Sequence, residues 1–223
     1  MISTSLRSSS RRTDLYWTSR ADGDLGPGAG SAAEGRRRSV YAGTWAWLRQ
    51  VHGATVHVVT APGSVQGEEG DALVTAVPGV ALAVFTADCA PVALTSPEGV
   101  AGLVHAGWRG LDAGVIEAAA TAMRELGATR LEAVLGPCIR PECYEFGAAE
   151  LERLAARWGP AARGRTARGR PALDLPAMVG AALQQCGAVL VADAGACTAC
   201  SDEWFSHRAR GDLARQATVL VAA

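Results

Sequence analysis

Three residues able to hold a metal ion each end or follow an apolar segment: His52, Cys89 and His105. Each neighbours a small or turn-forming residue, which leaves room for an ion and a substrate. Two imidazoles and one thiolate leave a tetrahedral Zn2+ with an open fourth position, as catalytic zinc requires. The spacing is long, so this is not a local metal motif. The same residues also read as a buried thiol and two ordinary histidines. A third reading needs no metal: Cys89 paired with His105 or His52 as an activated nucleophile, oriented by Asp88.

Other candidates compete. Cys197-Thr198-Ala199-Cys200 is a CxxC, and together with Cys138 and Cys143 it could form a structural four-cysteine zinc site. His57 lies inside a strand pattern, where a packed or half-exposed side chain is expected. His207 lies in Trp204-Phe205-Ser206-His207-Arg208, either as a polar loop residue or as part of a site. Arg109 follows Val104-His105-Ala106-Gly107-Trp108 and precedes Gly110 at a strand-to-helix corner. An anion there would meet a guanidinium, backbone N–H groups and a positive dipole end. Stacking on Trp108 or pairing with a carboxylate is the structural alternative.

These residues must be positioned by regular elements. Ala54 to Thr60, Asp71 to Thr75, Val80 to Phe85, Leu131 to Leu135, Val189 to Ala192 and Ala217 to Ala222 read as strands. Pro91 to Leu94 and Val100 to Val104, joined by the Pro97-Glu98-Gly99 turn, read as a hairpin. Gly43 to Gln50 reads as a short helix carrying Trp45 and Trp47. Asp112 suits the N-cap of a helix with Val115, Ile116, Ala119 and Met123 on one face and Gly127 as its stop. A second helix carries Leu151, Leu154, Ala155 and Trp158. A third starts at Asp174, with Pro176 in its first turn, and ends at Gly187. Tyr16 to Ala42 shows few signals, Arg36-Arg37-Arg38 reads as a solvated cluster, and Gly159 to Pro171 reads as a surface loop. Strands dominate the first half and alternate with helices in the second. The expected fold is α+β (mixed α/β), with layered mixed sheets flanked by helices in one domain. Residues 1–13 are expected to be a tail, and 14–223 the catalytic domain.

The totals narrow the function classes. The 223 residues suit one large domain, and their formal net charge of -1 argues against a dedicated nucleic-acid binder. All 21 cations are arginine, which rules out a Schiff-base lysine. No apolar run reaches membrane-spanning length and no secretory signal is evident, so a cytoplasmic, monomeric protein is expected. In that setting the 6 cysteines read as thiols or ligands, not as a disulfide framework.

Several segments together resemble a known family. They are Gln50-Val51-His52-Gly53, Asp71-Ala72-Leu73-Val74-Thr75, Ala87-Asp88-Cys89-Ala90-Pro91-Val92 and His105-Ala106-Gly107-Trp108-Arg109-Gly110. Gly136-Pro137-Cys138-Ile139, Cys143-Tyr144-Glu145-Phe146-Gly147, Cys197-Thr198 and Phe205-Ser206-His207-Arg208 follow in the same order. The chain from about Tyr16 onward resembles the laccase-domain family. This is also called the multicopper polyphenol oxidase family, or the purine nucleoside phosphorylase family with adenosine deaminase activity. The resemblance implies a metal site at His52, Cys89 and His105, usually zinc, with copper for the oxidase activity. It implies phosphorolysis of adenosine, inosine, guanosine and methylthioadenosine, and deamination of adenosine. Peptidoglycan-precursor editing and polyphenol oxidation are linked to some relatives. The chain departs from the pattern in a shorter segment before His52, in having no asparagine, and in His207 where the family usually has Tyr.

On that reading phosphate attacks the ribose anomeric carbon, held by Arg109 with Arg208 or Arg215. Asp71, Asp88 and Glu145 are the candidate proton carriers or partners of the ligands. The partners are then small molecules, a purine nucleoside and phosphate, with neither nucleic acid nor membrane. A copper polyphenol oxidase and a metal-free Cys hydrolase are the alternatives.

Overall fold

Period-two burial organises the molecule into layers. Along strand Ala81–Thr86, Leu82 and Val84 enter one apolar cluster, while Ala81, Ala83 and Phe85 enter another on the opposite face. Along Ala72–Thr75, Leu73 faces the first of these clusters and its neighbours Ala72 and Val74 face a third. Successive strand side chains point to opposite faces, so both sheets are covered on two sides. The computed structural model describes residues 2–8 and 11–222.

One sheet has five strands, in the order Ile2–Ser8, Arg11–Trp17, Gln216–Val221, Ala81–Thr86 and Trp45–Trp47. The other has six, in the order Ala188–Asp193, Leu131–Leu135, Ala90–Thr95, Ala101–Ala106, Ala72–Thr75 and Val56–Val58. Both are mixed: Trp45–Trp47 runs parallel to Ala81–Thr86, whereas Gln216–Val221 runs antiparallel to it. The sheets pack on each other through Leu15, Trp17, Leu82, Val84, Leu73 and Leu103. Helices Trp108–Ala113, Val115–Glu125, Ala148–Trp158 and Leu175–Gln185 cover the outer face of the six-stranded sheet. This is the layered mixed α/β fold the sequence implies.

Most expected strands recur within a residue or two, and Asp174 caps its helix by accepting the Ala177 N–H at 2.9 Å. The hairpin pairs Ala90 with Ala106 and Thr95 with Ala101. Other expectations are corrected. Trp45–Trp47 is a strand, because Trp45 faces one cluster while Ala46 and Leu48 face the other, a period of two and not of 3.6. Asp112 does not cap a helix. The chain turns helical already at Trp108, behind Gly107, and Asp112 pairs with Arg153 at 2.7 Å and Arg157 at 3.1 Å. Gly114, at φ +88, separates that short helix from Val115–Glu125. The 159–171 stretch contributes Arg163–Arg165, which pairs with Pro171–Leu173 in a small hairpin seated by buried Ala172 and Leu173.

The 1–13 stretch was expected as a tail, but Ile2–Ser8 and the start of Arg11–Trp17 are paired strands. Buried Leu15 and Trp17 anchor the second of these against the core, and the first pairs with it at the sheet edge. Residues 1, 9 and 10 lie outside the described residues. Helix Ala32–Val40 fills part of the signal-poor 16–42 region. Its Arg37 is not merely solvated, since it donates to the carbonyls of Leu25 and Gly26 and lies 5.3 Å from the Phe85 ring.

Leu103 is fully buried between the sheets. Leu103→Ala is therefore expected to lower stability by about 2–5 kcal/mol. A urea denaturation curve with an unchanged slope and a lower midpoint would show it.

Candidate functional site

The site sits where the chain passes between the sheets. Ala81–Thr86 belongs to the five-stranded sheet and Ala90–Thr95 to the six-stranded one, so Ala87, Asp88 and Cys89 make the crossing. His105 lies near the end of Ala101–Ala106, immediately before the Gly107 turn into the Trp108 helix. His52 lies on the loop that precedes Val56–Val58. Residues 37 and 53 positions apart in sequence are thereby brought together. The ligand atoms of His52, Cys89 and His105 all lie within 4.8 Å of one another. His52 Nε2 is 3.6 Å from Cys89 Sγ, and the two imidazole rings meet edge-on with centroids 4.8 Å apart.

Asp71 holds two corners of this triangle. Its carboxylate accepts the backbone N–H of His52 at 2.9 Å and of Gly53 at 2.7 Å. It also accepts the Nδ1–H of His105 at 2.8 Å, which leaves Nε2 of that ring for a ligand. Asp71 is fully buried. Burial works against its charge, but the bonds from His105, Gly53 and His52 outweigh it and hold the carboxyl below its ordinary range. A carboxylate so occupied is placed to orient His52 and His105. His52 itself sits at φ +60, a left-handed conformation that the Asp71 bonds to its own and the following amide sustain.

Asp88 is a second clasp. Its Oδ1 accepts the hydroxyls of Thr198 at 2.7 Å and Ser206 at 2.6 Å, and its Oδ2 accepts the Arg208 N–H at 2.7 Å. Both oxygens are engaged, so the geometry makes Asp88 an anchor for two late loops. It holds Cys89 at the crossing from a φ of +107.

Electrostatics suit a cation. Burial alone would raise the Cys89 thiol, but the charge of His105 and bonds from both histidines bring it down to about 6. Burial opposes protonation of His105, and the Cys89 thiolate and Asp71 overcome it, raising it to about 9. A thiolate and a positive neighbour thus stabilise each other where an ion could take the place of the proton. The distances fit one as well. Zn–N and Zn–S lengths of about 2.05 and 2.3 Å at a tetrahedral angle imply an N···S edge of about 3.6 Å. The His52–Cys89 separation is 3.6 Å.

The triangle opens on a cavity of about 570 Å3, a size suited to a small-molecule ligand. Arg109, Arg208 and Arg215 all line it. Arg109 is exposed, its guanidinium 4.5 Å from the Trp108 ring, and among the described residues it has no carboxylate partner. Arg208 lies 5.0 Å from the Tyr144 ring and gives one bond, of 3.4 Å, to the Glu145 carbonyl. Arg215 is less available, because its Nη1 donates to the carbonyls of Asp212, Leu213 and Ala214. His207 also lines the cavity, with Nδ1 3.4 Å from the Asp212 carbonyl.

Two candidates lie elsewhere. Glu145 does not line the cavity and forms an ion pair with Arg170. His57 bonds the Glu69 carbonyl at 2.9 Å. The four-cysteine reading is corrected too: Cys143, Cys197 and Cys200 converge, but the fully buried Cys138 is not among them. Residues that spacing alone did not single out complete the cavity. Tyr144 and Trp108 line it and both pack edge-on against Phe146, with centroids 5.5 Å apart in each pair. Burial first, and then the Cys89 charge, pushes the Tyr144 phenol up to about 12. Gln50 clasps Phe85 through both amide atoms, at 2.7 and 2.8 Å, and so ties the His52 loop to the Ala81–Thr86 strand. Its position just before Val51-His52-Gly53 was the available signal.

A thiolate and two imidazoles, oriented from behind and open to a cavity in front, define a metal-binding pocket. The chain belongs to the multi-copper polyphenol oxidoreductase laccase family, whose model matches residues 32–223. A relative from Streptomyces coelicolor, named purine nucleoside phosphorylase, is 48% identical over 166 residues, 73% of this chain and 68% of the relative. A Mycobacterium bovis relative of the same name is 37% identical over 177 residues, covering 78% of this chain and 70% of the relative. A solved Neisseria meningitidis structure superposes with a TM-score of 0.80 at 27% identity, covering 95% of this chain and 93% of that one.

Gly107 is where a side chain would do most harm. A Cβ there would lie 2.7 Å from the His52 ring and 3.1 Å from Cys89 Sγ. Gly107→Ala is expected to weaken metal binding by about 10-fold or more, as displaced ligands do, with little change in the thermal midpoint. Isothermal titration with zinc and a melting curve separate the two effects.

Proposed function

We propose that this chain is a zinc-dependent purine nucleoside phosphorylase that also deaminates adenosine. The observation that carries the reading is one cavity shared by the His52–Cys89–His105 triangle and the guanidinium groups of Arg109 and Arg208. The name shared by the Streptomyces coelicolor and Mycobacterium bovis relatives supports it. A zinc ion held by the three side chains would supply Lewis-acid charge close to the reacting bond.

The chain's own residues supply the rest. Phosphate, a dianion, is held by Arg109 and Arg208, which present planar donors to its oxygens. The base packs against Trp108 and Tyr144, whose rings stand on that side of the cavity. Tyr144 keeps its O–H at neutral pH and offers it to the departing base. In the step itself a phosphate oxygen bonds to the anomeric carbon. The C–N bond breaks, and the base leaves with the electron pair and takes up a proton. Asp71 and Asp88 do not exchange protons here; they keep His52, Cys89, His105 and Arg208 in place. Adenosine, inosine, guanosine and methylthioadenosine are the expected substrates.

Zinc is favoured over copper by the ligand supply. Four-electron oxidase chemistry draws on several copper ions and many histidines, and this chain has 4. One of them, His57, is bonded to the Glu69 carbonyl and does not line the cavity. No helix among the described residues is long and apolar enough to cross a membrane, and a single chain carries every residue of the proposed site.

Zinc-loaded protein incubated with inosine or adenosine and phosphate is expected to release ribose 1-phosphate and a free base; absence of turnover overturns the reading. Activity that survives chelation but not alkylation of Cys89 assigns the chemistry to a metal-free cysteine nucleophile. Arg109→Ala is expected to raise the phosphate KM by about tenfold or more, the scale of one charge-assisted contact, with a smaller effect on the nucleoside KM. Metal retention should also depend on pH. Below about 6 the proton competes for the Cys89 sulfur, so the affinity for zinc is expected to fall as the pH drops below that value. Dialysis at about pH 5 should strip zinc that survives dialysis at about pH 7, as elemental analysis would record.

A further inference from the structure

A second cluster of sulfur ligands lies outside the cavity, and nothing above uses it. Cys143 ends the short turn Pro141–Cys143, and Cys197 and Cys200 bracket the turn that follows Ala196. Their sulfurs lie within 4.8 Å of one another, with Cys143 and Cys200 2.8 Å apart. Cys197 is buried, Cys143 half-buried and Cys200 exposed. The cluster therefore has a fixed base and an open rim. Glu142 brings a carboxylate oxygen to 3.6 Å from Cys200 Sγ. The Arg140 N–H donates to Cys197 Sγ at 3.4 Å, a bond that favours sulfur as an acceptor.

We propose that Cys143, Cys197 and Cys200, with Glu142 as fourth ligand, form a structural site for zinc or another thiophilic d10 cation. The donor set is a CxxC pair, a third thiolate from a separate turn, and a carboxylate. Tetrahedral zinc with Zn–S of about 2.3 Å and Zn–O of about 2.1 Å has an S···O edge of about 3.6 Å, and S···S edges of about 3.8 Å. The Glu142–Cys200 separation already matches at 3.6 Å. The Cys143–Cys200 pair must open by about 1 Å from 2.8 Å. A Cys143–Cys200 disulfide is the rival arrangement, with sulfurs closing to about 2.05 Å. It leaves Cys197 and Glu142 without a role, whereas a cation uses all four. Positive charge to offset three thiolates is near. The Arg210 guanidinium bonds the Thr198 carbonyl at 2.9 Å and the Ala199 carbonyl at 3.3 Å, between the two cysteines of the CxxC.

The cation would fasten two turns that the cavity depends on. Tyr144 follows Cys143 directly and lines the cavity. Thr198 follows Cys197 and donates to Asp88. A bond between the turns fixes the Tyr144 wall relative to the Asp88 clasp without touching the substrate. None of the four ligands lines the cavity.

The test is metal stoichiometry of the full chain, loaded with zinc under reducing conditions and desalted. Wild type is expected to hold two zinc ions, and both the His52→Ala/His105→Ala and the Cys143→Ala/Cys200→Ala variants one. Cobalt bound to the His52→Ala/His105→Ala protein should show tetrahedral d–d bands and intense thiolate charge transfer. Should the double cysteine variant fail to fold, thiol titration of the His52→Ala/His105→Ala protein decides: zinc must shield three additional thiols. Equal zinc in wild type and the cysteine variant overturns the proposal. So does a protein that loses two hydrogens in mass by joining Cys143 to Cys200 and takes up no zinc at that cluster after reduction. None of these readouts depends on nucleoside turnover, so failure here and failure of the phosphorylase reading are distinguishable.

Discussion

The site depends on one buried carboxylate. Asp71 lies at the entrance to strand Ala72–Thr75, and from there it bonds the His52 loop and the His105 ring together. Without it, three N–H groups of the loop, those of Val51, His52 and Gly53, would lose their acceptor and His105 would lose the bond that fixes its tautomer. An unpaired buried carboxylate is costly, so the dependence is mutual. The loop is held in its strained turn because Asp71 needs its donors, and Asp71 stays charged because the loop supplies them. The strands on either side are apolar and interchangeable in kind. This contact is not, because it decides which way two of the three converging side chains point.

Asp88 plays a comparable part toward the later chain. Its donors come from position 198, on a turn, and from positions 206 and 208, the N-cap and second residue of the single-turn helix His207–Arg210. Those segments bring Arg208 and His207 to the rim of the cavity. The division of labour is therefore spatial. Asp71 orders the back of the site, Asp88 orders its side, and Cys89 stands next to Asp88 at the crossing between the sheets.

Much of this was legible in the sequence. Apolar runs such as Val100 to Val104 and Leu131 to Leu135 announce buried strands, since few other structures bury every residue of a short segment. The metal-type trio could be nominated from residue type and from the ends of such runs, and the family resemblance named the same three. The failures have physical causes. Trp45 to Trp47 is too short for its period to be read, and only partners on both faces reveal a strand. Asp112 has the chemistry of a cap, but Gly107 allowed the helix to begin one turn earlier. The sequence left Asp71 and Asp88 open between proton carrier and partner of the ligands, because a carboxylate's function depends on how many donors surround it. Those donors come from 18 to 120 positions away, and no local pattern encodes them. The aromatic wall of Trp108, Phe146 and Tyr144 was hidden for the same reason.

The place of strand Gln216–Val221 has a consequence for the order of events in folding. It lies inside the five-stranded sheet, between Arg11–Trp17 and Ala81–Thr86. Until it inserts, each of those strands lacks its neighbour on one side, and the crossing at Asp88 lacks Ser206 and Arg208. Pairings across such long stretches of chain form slowly and late. During synthesis, then, the His52 and His105 arms can meet around Asp71 early, while the cavity they serve stays unfinished until the C-terminal strand closes the sheet. The pocket is a product of complete folding: Asp71 joins the two histidines within one sheet, whereas Cys89 stands at the crossing that the last strand completes.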